Sequence, residues 1–274
     1  MTGLLTPVAR LSGHRRARVQ AAGSGWRPRP LPLRLMITRR HPEEDLVQVE
    51  LRHSPSYAVA RLHLAPGERF LGEAGVMVMQ SFGVTIESQM QGGFMTALKR
   101  SALGGESFFV TTFIGHAQSP TWVDVAARLP GDATVIDCRP DRGIVLTKGA
   151  WLASEMGVKL DTKWGGSAML FGGEGGFVVR CSGQGQIIAG SFGALDLLEL
   201  PPGQGFTIDT GHLVAYDDGM QVQVRKIAKG WIQTGKSGEG LVMDINGPGR
   251  VWTQSRNASA LVDWLTTVLP FTRA

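Results

Sequence analysis

At 274 residues with 43% apolar side chains, the chain is long enough to bury a large core and has neither a fibrous nor a disordered overall composition. Its formal charge of +5 suggests nucleic acid only until the charge is located: residues 1–42 hold nine of the 28 Lys and Arg and none of the 23 Asp and Glu, leaving 19 positive against 23 negative side chains on everything else. That mildly acidic body argues against a phosphate-binding surface on the folded part, and no apolar run reaches the roughly 18 residues of a spanning helix, so the body is not integral to a membrane.

Residues 1–45 form a basic tail without apolar periodicity, containing Arg15-Arg16-Ala17-Arg18 and Arg27-Pro28-Arg29-Pro30-Leu31-Pro32, and they read as disordered. An Arg-rich, acid-free start also suits an organellar transit peptide over residues 1–42. With no amphipathic helix in it, a solvated tail or a start codon misassigned upstream of Met36 is the favoured reading.

From Leu46 the pattern turns to strands. Val47, Val49 and Leu51 alternate with Gln48 and Glu50, Val59 to Leu64 leads to a Pro-Gly step, and Val76 to Met79 and Val84 to Glu87 follow. A short helix over Phe94 to Leu103 and strands over Phe108 to Ile114 and Trp122 to Ala126 complete a first repeat, 46–126. The second, 127–198, runs from Thr134-Val135-Ile136-Asp137 to Ile187-Ile188-Ala189, and the third, 199–256, from Phe206-Thr207-Ile208-Asp209 to Val251-Trp252. Three features recur in order: a Pro-Gly step (Pro66-Gly67, Pro130-Gly131, Pro202-Gly203), a Gly-led strand (Gly83, Gly157, Gly219), and a small-small-Glu turn at Glu106, Glu174 and Glu239. Short alternating strands punctuated by many of the 37 Gly predict one all-β domain, 46–256, as a sandwich, barrel or β-prism of three pseudo-repeats. One helix is predicted over 257–270: Asn257 or Ser259 caps it, Leu261, Trp264, Leu265 and Val268 share a face, and Pro270 stops it. Its expected job is to cover an open end or edge of the sheets.

The motifs that carry chemistry are few. Gly230 to Ser237 satisfies the phosphate-loop pattern G-x-x-x-x-G-K-[ST], but no helix follows Ser237 to aim its N-terminus at an anion, and the segment falls where the other repeats place the approach to their own Glu turn. Gly183-x-Gly185 joins strand to strand, as a hairpin does. Asp209-Thr210-Gly211-His212, with Asp217-Asp218 nearby, is the best local cluster for a metal or an acid/base pair, against the commoner case of a histidine hydrogen-bonded inside a turn. Glu106, Glu174 and Glu239 could converge on a cation at a pseudo-threefold axis, and each more simply accepts backbone N–H bonds within its own turn. Gly247-Pro248-Gly249-Arg250 is first a turn and second an anion hook. Cys138 and Cys181 give no metal or redox spacing and read as buried thiols of a reducing compartment, a single disulfide between repeats being the alternative.

Leu170 to Phe177, Asp209 to Ala215, Ser237 to Val242 and Gly247 to Arg256 together resemble the altered-inheritance-of-mitochondria family, over roughly residues 46–256. The resemblance implies a fold like the tryptophan RNA-binding attenuation protein, of double-stranded β-helix type, assembled as a homo-oligomer with a trimer favoured. Bacterial-type members imply a cytoplasmic protein, or an organellar one if residues 1–42 are a transit peptide. The functional expectation is a non-enzymatic oligomeric scaffold or binding module, with no catalytic residue, cofactor or metal and no nucleic acid on the folded body. The alternatives are a nucleotide-binding protein or enzyme using Gly230–Ser237, and an RNA- or membrane-surface binder acting through the Arg-rich tail.

Overall fold

The computed structural model describes residues 48–88, 110–147, 149–163, 178–226 and 241–269. They form nineteen strands and one α-helix. The first stretch holds β1 (Gln48–Arg52), β2 (Val59–Leu64), β3 (Arg69–Glu73), β4 (Met77–Gln80), β5 (Thr85–Ser88), β6 (Val110–Ile114) and β7 (Thr121–Val125). The second holds β8 (Ala133–Cys138), β9 (Ile144–Thr147), β10 (Trp151–Glu155), β11 (Val158–Lys163), β12 (Val178–Gly183) and β13 (Gly185–Gly190). The third holds β14 (Leu195–Leu200), β15 (Gly205–Asp209), β16 (Leu213–Asp217), β17 (Gln221–Lys226), β18 (Leu241–Asn246) and β19 (Gly249–Gln254), followed by α1 (Ala258–Val268).

Apart from β1, each stretch repeats one connectivity, and we call the three stretches units. The first, sixth and third strands of a unit make one three-stranded ribbon (β2-β7-β4, β8-β13-β10, β14-β19-β16). The second, fifth and fourth make another (β3-β6-β5, β9-β12-β11, β15-β18-β17). Neighbouring units share sheets. β3 of unit one pairs with β10 of unit two, and β9 of unit two pairs with β16 of unit three, both antiparallel. The result is four sheets: sheet I (β1-β2-β7-β4), sheet II (β5-β6-β3-β10-β13-β8), sheet III (β11-β12-β9-β16-β19-β14) and sheet IV (β15-β18-β17).

Three apolar cores lie between successive sheets. Leu62 and Val123 of sheet I meet Phe70, Phe113 and Ile188 of sheet II. The other face of sheet II, through Leu71, Ile136 and Ile187, meets Leu146, Val179 and Trp252 of sheet III. Val145, Tyr216 and Val251 on the far face of sheet III meet Met243 and Ile245 of sheet IV. Burial patterns follow from this order. β2, in a terminal sheet, alternates, with Ala60, Leu62 and Leu64 buried and Arg61 and His63 less so, whereas β10 and β13, covered on both faces, are buried along their whole length. Each fully buried Ile or Leu in these cores contributes about 2 kcal/mol by removing apolar surface from water.

Two sequence expectations need correction. Pro66-Gly67 and Pro202-Gly203 turn between the first and second strands of their units, with Gly67 and Gly203 at φ 71° and 77°. Pro130-Gly131 instead lies before β8, between units, where a Cβ on Gly131 would stand 1.8 Å from the Ser191 carbonyl oxygen; the matching turn of unit two is at Pro140-Asp141. The C-terminal helix is present and its cap is as expected, the Asn257 side-chain oxygen accepting from the Ser259 and Ala260 N–H groups. It is not packed into a core, however: none of its residues is buried, Leu261 and Leu265 are half-buried, and Trp264 and Val268 are exposed. The expected helix over Phe94 to Leu103 lies outside the described residues.

Candidate functional site

Glu106, Glu174 and Glu239 fall in the segments 89–109, 164–177 and 227–240, outside the described residues, as does the phosphate-loop-like Gly230–Ser237. Each of these segments joins the fourth and fifth strands of its unit, and the strands on either side pair with each other (β5 with β6, β11 with β12, β17 with β18). The three carboxylates therefore occupy the same place in the chain path of their units.

Asp209 ends β15 and caps a single 3-10 turn over Thr210–His212, its Oδ1 accepting from the Gly211 N–H at 2.7 Å. His212 Nδ1 stands 2.8 Å from the Gln254 carbonyl oxygen. That oxygen can only accept, so Nδ1 carries the proton and donates it. The Gln254 side chain then links two loops, its Nε2 donating to the Gly211 carbonyl and its Oε1 accepting from the Phe192 N–H. Asn257 packs against Gly211, where a Cβ would lie 2.1 Å from Nδ2. The turn is thus bound into the foot of α1. Gln254, the hub of this junction, carries no sequence signal that would have singled it out.

The neighbouring acids belong elsewhere. Asp217 is buried and accepts from both the guanidinium and the backbone N–H of Arg250, at 2.8 Å in each case. Asp218 pairs with Arg180 of unit two at 2.7 Å. Arg250 also lies over the Trp252 ring, 4.9 Å from its centroid. Arg250 therefore latches β16 to β19, and its guanidinium is already occupied. Equivalent places in the other units use the same device: the Gln186 N–H donates to the Glu155 carboxylate and the Trp122 N–H to the Ser81 hydroxyl. Cys138 and Cys181 are both free and buried, and burial pushes both thiols up, so neither is a thiolate at neutral pH.

Two further features lie beyond the sequence reading. On the outer face of sheet I, fully buried Asp124 is held by Arg61 (Nε to Oδ1 2.7 Å, Nη2 to Oδ2 3.0 Å) and by Arg52, and Arg61 stacks 3.8 Å over Trp122. The hydrogen bond to Asp124 raises the Arg61 guanidinium pKa above its already high ordinary value. Along one edge of the same sheet, β4 and the turn after it expose Met77, Val78, Met79 and Phe82. An open strand edge with apolar side chains is a place where another strand can add. Among the described residues no three His, Cys, Asp or Glu come together as a metal site, and no helix is long and apolar enough to cross a membrane.

Known proteins share this architecture. A crystal structure of a Streptococcus pyogenes protein superposes with a TM-score of 0.68 at 24% identity, covering 81% of this chain and all of that one, a likeness of fold. An uncharacterized protein of Streptococcus pyogenes serotype M6 is 27% identical over 236 residues, 83% of this chain and 93% of its own length. The family model for mitochondrial biogenesis AIM24 matches residues 49–256, a span that takes in all nineteen strands but for Gln48 of β1, together with the Asp209 turn and the Arg250 latch; the chain belongs to that family.

Proposed function

We propose that this protein is a non-enzymatic β scaffold, built of three copies of one repeat in the manner of the attenuation-protein fold, that works by associating with further copies of itself in the cytoplasm. One observation carries the reading: among the described residues the conspicuous polar groups are spent on holding strands and turns together, while four exposed apolar side chains stand together on one strand edge. Asp209 closes its own turn, His212 donates to Gln254, and Asp217 locks Arg250. Met77, Val78, Met79 and Phe82 stand in solvent. The two unjoined, buried cysteines support a reducing compartment.

Sedimentation equilibrium of the full chain over a wide concentration range tests the reading. The expected result is an assembly larger than one chain, together with a melting temperature unmoved by ATP and Mg²⁺. A protein that stays monomeric throughout would overturn the scaffold, and one whose melting temperature rises with ATP in the wild type but not in Lys236→Ala would replace it with a nucleotide-binding reading.

A further inference from the structure

The joint between units is made twice inside the chain and left unmade at its ends. At the first joint Phe70, Leu71 and Gly72 of β3 lie opposite Glu155, Ser154 and Ala153 of β10. At the second, Ile144, Val145 and Leu146 of β9 lie opposite Asp217, Tyr216 and Ala215 of β16. Both joints therefore use the second strand of one unit and the third strand of the next, in the same register. The third strand carries the same irregularity in every unit, between Met77 and Met79, Trp151 and Ala153, and Leu213 and Ala215. That irregularity fixes the correspondence residue by residue: Met79 matches Ala153 and Ala215.

Among the described residues, two strands of these same kinds remain unpaired on one side. β4, the third strand of unit one, ends sheet I, and β15, the second strand of unit three, ends sheet IV. Exposure records the difference. Met79 is 48% exposed, whereas Ala153 and Ala215 at the matching positions are 0% exposed. β10 and β16 are buried throughout, but β4 shows three exposed residues. β15 is only partly buried, where β9 has Ile144, Val145 and Leu146 buried.

Resting on the self-association proposed above, we infer that β15 of one chain pairs antiparallel with β4 of a second copy, with Ile208, Thr207 and Phe206 opposite Met79, Gln80 and Ser81. The occupant is a second copy because the chain already contains that partner twice: a third-position strand is what β15's counterparts bind, and a second-position strand is what β4's counterparts bind. Pairing merges sheet IV of one molecule with sheet I of the next and places Met79 beside Ile208, which packs on the third core. The interface is head-to-tail, so repetition closes a ring or grows a filament according to the rotation at each joint. The joint is weaker than the two internal ones. Where they carry apolar Ile188 and Trp252, sheet I carries Asp124, and where they carry Leu71 and Val145, sheet IV carries Thr207. Backbone pairing and Met79 supply the contact, and association is concentration-dependent.

The test uses two full-length single variants, Gln80→Cys and Thr207→Cys, mixed and treated with a short bis-maleimide. The native Cys138 and Cys181 are buried. A crosslinked dimer containing one chain of each kind, at least tenfold more abundant than with either variant alone, is expected. Met79→Lys, at an exposed position that leaves the fold intact, should return wild-type assemblies to monomers. Failure of the two ideas separates cleanly. A discrete oligomer that ignores Met79→Lys and gives no mixed crosslink keeps self-association and overturns this joint, whereas a monomer at all concentrations overturns both. A crosslink within one chain of the double variant Gln80→Cys/Thr207→Cys, with none between chains, also overturns the joint, because the chain's two ends would then close on each other. So does capture of β4 by the chain's own residues 1–47, seen as a crosslink within one chain between Gln80→Cys and a cysteine introduced into that segment, as in Ser24→Cys.

Discussion

One position reads differently in the first unit than in the other two. Opposite the third strand, just past its irregularity, units two and three place Ile188 and Trp252, and unit one places Asp124. Ile188 and Trp252 are covered because a preceding unit lies against their sheet, and each joins that unit's core. Among the described residues no unit precedes unit one. Its aspartate is still sealed from water, but by Arg52 and Arg61, whose side chains remain about one quarter exposed. The same backbone position thus holds an apolar residue where protein covers it and a clamped charge where solvent lies beyond. The terminal face of sheet I is finished as an end, while its edge strand β4 is not.

Exchanging the two solutions is the most severe way to break this comparison. Ile188→Asp buries an unpaired carboxylate in the first core and should cost at least about 4 kcal/mol, a large share of a domain's stability. The reverse change, Asp124→Ile, leaves two arginines that can turn toward water and should cost only about 1–2 kcal/mol. Urea unfolding of both variants checks the asymmetry. Equal losses would mean that the Asp124 cluster is as much a core element as Ile188 is.

The three acceptors behind the third strand sharpen the comparison at an intermediate scale. Ser81, Glu155 and Asp217 each receive a backbone N–H from the neighbouring strand, and Asp217 also holds the Arg250 guanidinium. Arg250→Ala leaves a buried carboxylate with a single N–H and should cost about 3 kcal/mol. Ser81→Ala removes one neutral hydrogen bond at the outer unit and should cost about 1 kcal/mol. Thermal unfolding of the pair orders them, and a larger loss for Ser81→Ala would contradict the assignment of equivalent roles.

How much of this could be read beforehand depends on how local each signal is. The turns were legible: Gly83 and Gly219 have φ of 91° and 96°, which explains why glycine leads those strands, and Asn257 caps α1 through its own side chain. Pro130-Gly131 falls between units rather than inside one, since a Pro-Gly step marks a turn and not which turn. The joints were invisible, because pairing β3 with β10 links residues about 80 apart, and hydropathy says that a strand is covered without saying by what. For the same reason Arg52, Arg61 and Asp124 look like a solvated face until register brings them together. The apolar stripe of α1 was legible as a stripe, yet Trp264 and Val268 stand exposed, because periodicity cannot supply the partner it asks for.

The opposite end of the stack carries a charge cluster too, and its exposure makes it the mildest test. On sheet IV, Asp244 accepts from Arg225 (Nε 2.6 Å, Nη2 3.1 Å) and from the Thr207 hydroxyl. The bond from Arg225, followed by that from Thr207, holds the Asp244 carboxyl below the usual aspartate range. A carboxylate depressed in the folded state stabilises it fully above its unfolded pKa of about 4, and that stabilisation disappears as pH falls through the lower folded value. The urea midpoint of the wild type should therefore drop between pH 5 and pH 3 slightly more than that of Asp244→Asn, with the two chains converging at the acid end. Because solvent reaches this pair, the difference should be small and should shrink further in molar salt, whereas the sealed Asp124 cluster should hold in salt. These results are expected of the dilute, unassociated chain; a difference at Asp244 that becomes salt-insensitive as concentration rises would mean that sheet IV is covered by assembly, as a joint between β15 and the next copy's β4 would make it.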